Sequence, residues 1–148
     1  MNKADTLFEI ANATALETDD FFDVKGSGIG NHSTNQYIRE VGRRAMMHFG
    51  SDLSEVSLCG DNSLKVDYYF AEEGTIVEIA LGLRNPNTEY EKDIMKAIIA
   101  KNLGNEVQKL VFISKPGGEK KCKQPGRLAM RNWLKNNIGI TIEVRDLG

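Results

Sequence analysis

The chain holds two cysteines, two histidines and one tryptophan in 148 residues, and none of them sits in a spacing that announces chemistry. Cys59 and Cys122 have no CxxC partner and no nearby histidine, which argues against a disulfide framework and a zinc site and predicts reduced thiols. His32 and His48 are separated by a stretch of helical pattern and share no ligand spacing. His48 is expected to be a surface or packing residue and His32 at most a neighbour of a site. No apolar run approaches the length of a membrane span, and residues 1–5 lack the layout of a signal peptide, so a cytoplasmic protein with no membrane partner is expected. Internal repeats, low-complexity tracts and recognisable cofactor motifs are also missing. Gly26, Gly28 and Gly30 suggest a phosphate loop, but no strand leads through them into a helix bearing the lysine or acid such a loop needs. They are expected to form a connecting loop.

The length suits a single domain able to bury about two-thirds of its unfolded surface. Net charge is close to zero, yet it is unevenly placed. Over residues 1–83 acids outnumber Lys plus Arg by 14 to 6, whereas over residues 84–135 the bases lead by 12 to 5. That split predicts a basic surface for a polyanion beside an acidic surface able to hold metal, the alternative being a mixed, solvated surface.

Periodicity orders the chain as helix, helix, three strands, helix, strand, helix, strand. Residues 5–16 carry apolar positions at helical spacing with Asp5 as N-cap, an accessory helix that precedes a loop ending near residue 32. Ser33 and Gln36 have capping-box spacing before Tyr37, Val41, Ala45 and Phe49. A short strand over 56–59 leads to a hairpin over 65–83. Thr88 caps a helix to about Leu103, and 110–113 reads as a strand buried on both faces. Residues 115–123 form a basic loop, Pro125 opens a helix with Trp133 in the core, and 140–144 form the last strand. The fold class is α/β, a mixed central sheet with helices on both faces, divided as an accessory segment 1–32, a core 33–114 and a basic segment 115–148.

The hairpin carries the strongest chemical signal. With Phe70 opposite Thr75, Asp67 falls opposite Glu78 and Lys65 opposite Ala80, all on one face of the sheet. Two carboxylates in so apolar a strand pair repel one another and lose hydration, which marks a bound cation or a shared proton unless the face is simply wet. Tyr69 shares that face and is in reach of a substrate.

Asp67 in the second strand, Glu78-Ile79-Ala80 in the third, and the element order over 33–114 resemble the PD-(D/E)XK (restriction endonuclease-like) superfamily. The resemblance implies a nuclease in which Asp67, Glu78 and the peptide oxygen of Ile79 bind Mg2+ or Mn2+, with Glu40 as an added acid from the first core helix. The partner it implies is DNA, and self-association into a homodimer stays open. The sequence departs from the pattern at Ala80, where the family has a lysine, and no proline precedes Asp67. Some relatives relocate the lysine, and Lys65 across the hairpin is the first candidate here, followed by Lys96 and Lys92 from the next helix. Asp23-Val24-Lys25 also spells D-x-K but lies before the first core helix. The expected function is a divalent-metal-dependent phosphodiesterase acting on DNA. The alternative is an inactive relative that binds nucleic acid or protein without cutting.

For phosphate contact, Lys115, Lys120, Lys121, Lys123, Arg127, Arg131 and Lys135 crowd into one loop and helix. Arg39, Arg43 and Arg44 on the acid-bearing helix are a second set, with a solvated surface as the alternative for both.

Overall fold

The computed structural model describes residues 1–23 and 30–148, with the side chains of 30–32 left aside. The glycine run 26–28 and the Asp23-Val24-Lys25 triplet therefore fall wholly or partly outside the described residues, as does the side chain of His32. Five strands form one sheet in the order β1-β2-β3-β4-β5: β1 (Ser54–Val56), β2 (Val66–Phe70), β3 (Thr75–Ile79), β4 (Lys109–Ser114) and β5 (Thr141–Asp146). The first three are antiparallel neighbours, while β3, β4 and β5 run parallel. Parallel neighbours require crossovers. These are supplied by α3 (Glu89–Asn102) and by α4 (Gly118–Cys122) followed by α5 (Pro125–Ile138).

Both crossovers lie on the same side of the sheet. Ile76, Leu110, Phe112 and Ile142 pack there against Tyr90, Ile94 and Ala97 of α3 and Leu134 of α5. The opposite face carries Tyr68, Phe70, Val77 and Val111, covered by Leu7 and Ala11 of α1 (Lys3–Glu17) and Tyr37, Val41 and Ala45 of α2 (Gly30–Phe49). The alternation of the strands thus sends each residue to one of two apolar layers. The α/β class, mixed sheet and two-sided helical cover expected from the pattern are all present.

The hairpin register is the expected one, with Phe70 opposite Thr75 and Tyr68 opposite Val77. A 3-10 turn over Ala71–Glu73 closes it through Gly74, whose φ of 57° is the left-handed conformation that favours glycine. The tip also anchors α1, since the Glu73 carboxylate accepts from the Lys3 and Ala4 backbone amides at 2.6 and 3.3 Å. A carboxylate at the first turn satisfies orphan amides and complements the helix dipole.

Several local expectations are corrected. Asn2, not Asp5, caps α1, accepting from the Asp5 amide at 2.7 Å. Ser33 lies inside α2, which already begins at Gly30. The first strand falls earlier than 56–59, and Leu58 and Cys59 are instead buried core residues. Thr88 precedes α3 without a side-chain capping bond, and the Asn87 side chain holds the Glu89 amide in its place. The basic segment contains α4 rather than only loop. Trp133 is 54% exposed, because Leu134 supplies the inward position of that turn of α5.

Arg127 also lies inside the fold. Its guanidinium donates to the carbonyls of Leu83 and Asn85 and sits over the Tyr90 ring, joining α5 to the segment after β3. Arg127→Met would leave those carbonyls without their donor, and a buried polar group so orphaned costs about 1–3 kcal/mol. Urea unfolding should show a loss of that size, whereas Lys120→Gln on the exposed side of α4 should change stability by less than about 0.5 kcal/mol.

Candidate active site

Asp67 and Glu78 meet at the open end of the hairpin, where their side chains bond each other's strands. Glu78 Oε1 accepts from the Asp67 amide at 2.9 Å, and Asp67 Oδ2 accepts from the Ile79 amide at 2.7 Å. Each carboxylate therefore holds backbone just past the last paired residues of the ladder. Above them, α3 presents two adjacent stripes. Tyr90, Ile94 and Ala97 enter the apolar layer, while Glu89, Asp93 and Lys96 follow the same helical spacing one position earlier and turn toward the acids.

Lys96 is the cation that reaches them. Its Nζ lies 2.7 Å from Glu78 Oε2 and 3.1 Å from Asp93 Oδ1, and it donates to the Lys65 carbonyl at 2.9 Å. The residue is only 8% exposed. Lys65, the first candidate from the hairpin register, is exposed and offers its carbonyl rather than its ammonium. Ala80 is wholly buried in the layer under α3, so that layer, rather than a lysine stem, occupies the position, and the ammonium arrives from the helix instead. Lys92 is exposed.

Two carboxyls, Glu78 and Asp93, thus touch one ammonium, with Asp67 and Glu89 near enough to feel its charge, and burial dominates the titration of all four. Burial, then the charges of Asp93 and Asp67, push the Glu78 carboxyl up to about 9. Burial raises Asp67 to about 6 despite the Ile79 amide, and burial with Asp93 and Asp67 nearby raises Glu89 to about 7. Asp93 rises through burial as well, with Lys96 opposing. The Lys96 ammonium loses hydration, yet Glu78 and Asp93 hold it in the charged form. The cluster, titrating as a unit, retains protons that isolated carboxyls would release. Glu78 Oε2 is buried, and the Lys96 ammonium at 2.7 Å is its partner.

Hard carboxylate oxygens in excess of positive charge are the donor set that Mg2+ or Mn2+ prefers. Among the described residues, no three such side chains converge on one point as a ready cage. A cation would therefore take its place by drawing Glu78 from Lys96.

Other expected residues lie elsewhere. Glu40 is on α2, across the sheet, where Arg43 and Arg44 bond it and hold its carboxyl well below the usual range. Arg44 also pairs with Glu17 at 2.6 Å, and Arg39 is exposed. Lys115 is half-buried over the Phe21 ring, and burial lowers its pKa. Lys120 and Lys123 are exposed, with Lys123 3.4 Å from Glu119. Arg131 donates to the Ile142 carbonyl at 2.8 Å. Tyr69 donates to the Glu106 carbonyl at 2.8 Å. Asp93 and Glu89 were not among the sequence candidates, although their spacing with Lys96 was legible.

The folded pKa values of Glu78, Glu89 and Asp67 are raised, so the native state binds more protons than the unfolded chain, in which glutamate titrates near 4.5. Stability must then fall as pH rises through the folded values. Thermal melts in chelator should show a decreasing Tm from pH 6 to pH 9, and Glu78→Gln, neutral throughout, should flatten that decrease. A Tm that rises over the same window would contradict the assignment. Compared with known proteins, the chain matches no family model, no curated protein and no solved structure.

Proposed function

We propose that this protein is a divalent-metal-dependent phosphodiesterase acting on DNA, a divergent relative of the PD-(D/E)XK nucleases. The observation that carries the reading is the buried Lys96 ammonium on Glu78, itself bonded across the hairpin to the Asp67 amide, in a chain that has alanine at position 80. Such a constellation is costly as a structural device. Desolvating several carboxylates around one ammonium is hard to recover from their mutual attraction, and functional sites are where such clusters concentrate.

Asp67, Glu78 and the peptide oxygen of Ile79 are the groups that would hold Mg2+ or Mn2+. When bound, the metal would lower the pKa of its water and polarise the phosphoryl group. Asp67 and Glu78 are oriented by the amides they accept from, which fixes their oxygens in advance. Lys96, released from Glu78, would direct its ammonium at the charge developing on the phosphoryl oxygens. Asp93 would keep that ammonium over the hairpin, since it binds Lys96 from one helical turn away. Glu89, near 7 and half-exposed, is the carboxyl suited to pass a proton to solvent at neutral pH.

DNA offered in single-stranded and in duplex form with Mg2+ or Mn2+ should be cut in at least one form by the parent protein. Asp67→Asn and Glu78→Gln should abolish cleavage and weaken Mn2+ binding in calorimetry. Lys96→Met should reduce kcat by about 10²–10³-fold, the usual effect of removing one electrostatic stabiliser, while Lys65→Ala should keep the parent rate. A parent that binds DNA without cutting it, and takes up Mn2+ no better than Asp67→Asn, would replace the enzyme by the non-cleaving binding module.

A further inference from the structure

A groove that holds none of the acid-cluster side chains lies where α3 begins. This groove, about 470 Å³, is lined by Asn87, Glu91, Lys121, Gln124, Gly126 and Met130, and so runs from the start of α3 to α4 and α5. Its two long walls are parallel. The Tyr90 hydroxyl bonds the Arg127 carbonyl, and the Lys101 ammonium bonds the Ile138 carbonyl, each pair 37 positions apart. That constant offset brings Met95 of α3 level with Trp133 of α5. Met95 and Trp133 are each 54% exposed, and Met130, one turn before Trp133, is 37% exposed. The groove therefore continues as an uncovered strip of thioethers and one indole. Beside it, Lys120 and Lys123 of the α4 segment are exposed.

We propose that this groove and strip seat an unpaired strand of nucleic acid, with a base stacked on Trp133 and phosphates on the lysines of the α4 segment. The inference rests on the nuclease reading and adds to it the form of the substrate. Charge and shape point to one occupant. Three lysines of the α4 segment, Lys120, Lys121 and Lys123, complement a polyanion along one side. The flat apolar strip complements the π-face of a base, a face that a duplex hides inside its own stack. Glu91 is the discriminating group. Its Oε2 is out of solvent and without a hydrogen-bond donor, and it lines the groove opposite Lys121. A carboxylate there repels a phosphate but accepts from the amino or imino group of a base edge. Bases are thus directed inward and phosphates outward. At Gly126 even an added Cβ would meet nothing within 4 Å, so the floor is open to a ring. Asn87 and Thr88, which line the groove, lead directly into Glu89, so the groove reaches the end of α3 that carries this carboxyl.

Trp133 is the only tryptophan, so its emission reports this strip alone. With metal chelated, a short oligodeoxythymidine should quench that emission, and a blunt duplex at equal nucleotide concentration should not. Fluorescence anisotropy of a labelled oligodeoxythymidine should show about ten-fold weaker binding for Trp133→Ala, the scale of one lost stack, and near-parent binding for Trp133→Phe. Unquenched emission, or equal single-strand affinity in Trp133→Ala, overturns the groove assignment, and if the parent still cuts duplex DNA the phosphodiesterase reading survives it. Failure to bind or cut either form overturns both. Emission that shifts with protein concentration alone, matched by a dimer in sedimentation, also overturns it by giving the strip to a second copy.

Discussion

The contact of Lys96 with Glu78 sets the terms for the rest of the molecule. A sheet with apolar layers on both faces leaves little room for charge, and this one admits a polar point where α3 crosses the end of the hairpin. One buried ammonium there serves two carboxylates and a peptide carbonyl. It both fixes the helix over the sheet and limits the repulsion of the acids beneath. Removing either side would leave uncompensated charge in a poorly hydrated place, which is more disruptive than losing the pair together. The apolar stripe of α3 supplies adhesion, and the neighbouring polar stripe supplies registry.

Much of this was legible because strands obey a two-residue rule. Alternation and a tight glycine-ended turn were enough to place Asp67 beside Glu78, and that juxtaposition is what the side-chain bonds to the Asp67 and Ile79 amides reflect. Counting across a hairpin, however, says only which residues lie opposite one another. It does not say whether a stem bends inward, and Lys65 turns out to solvent while a residue 31 positions away supplies the ammonium. Glu89, Asp93 and Lys96 share a helical face that the sequence displayed openly. Of the three only Lys96 is a candidate from sequence, because the apolar stripe beside them is what defines the helix, and the angle between a helix and a sheet, which brings Glu89 and Asp93 to the acids, is a tertiary quantity. Trp133 shows the converse limit, since helical spacing identifies a face without saying how wide the buried part is.

The basic half of the chain carries a related lesson. Seven cations over residues 115–135 form a uniform patch when counted, yet the fold sorts them by function. Arg127 and Arg131 turn inward to carbonyls, a use to which the guanidinium fork is suited, and Lys115 lies over an aromatic ring. Lysines, with one hydrated point charge each, remain at the surface along α4 and α5. Composition only counts these cations, while packing divides them into those that tie the fold together and those left at the surface.

The bonds that Asp67 and Glu78 make to the hairpin backbone give the site an internal gauge. The Asp67 and Ile79 amides are held by carboxylate oxygens and not by strand carbonyls. Anything that competes for those oxygens loosens two specific peptide groups while leaving the neighbouring rungs of the ladder intact. Their hydrogen-exchange rates would then rise and fall with the loading of the acids, independently of turnover. The chemistry of the site would thus be written into the local stiffness of the strand ends, where it can be heard before any bond is broken.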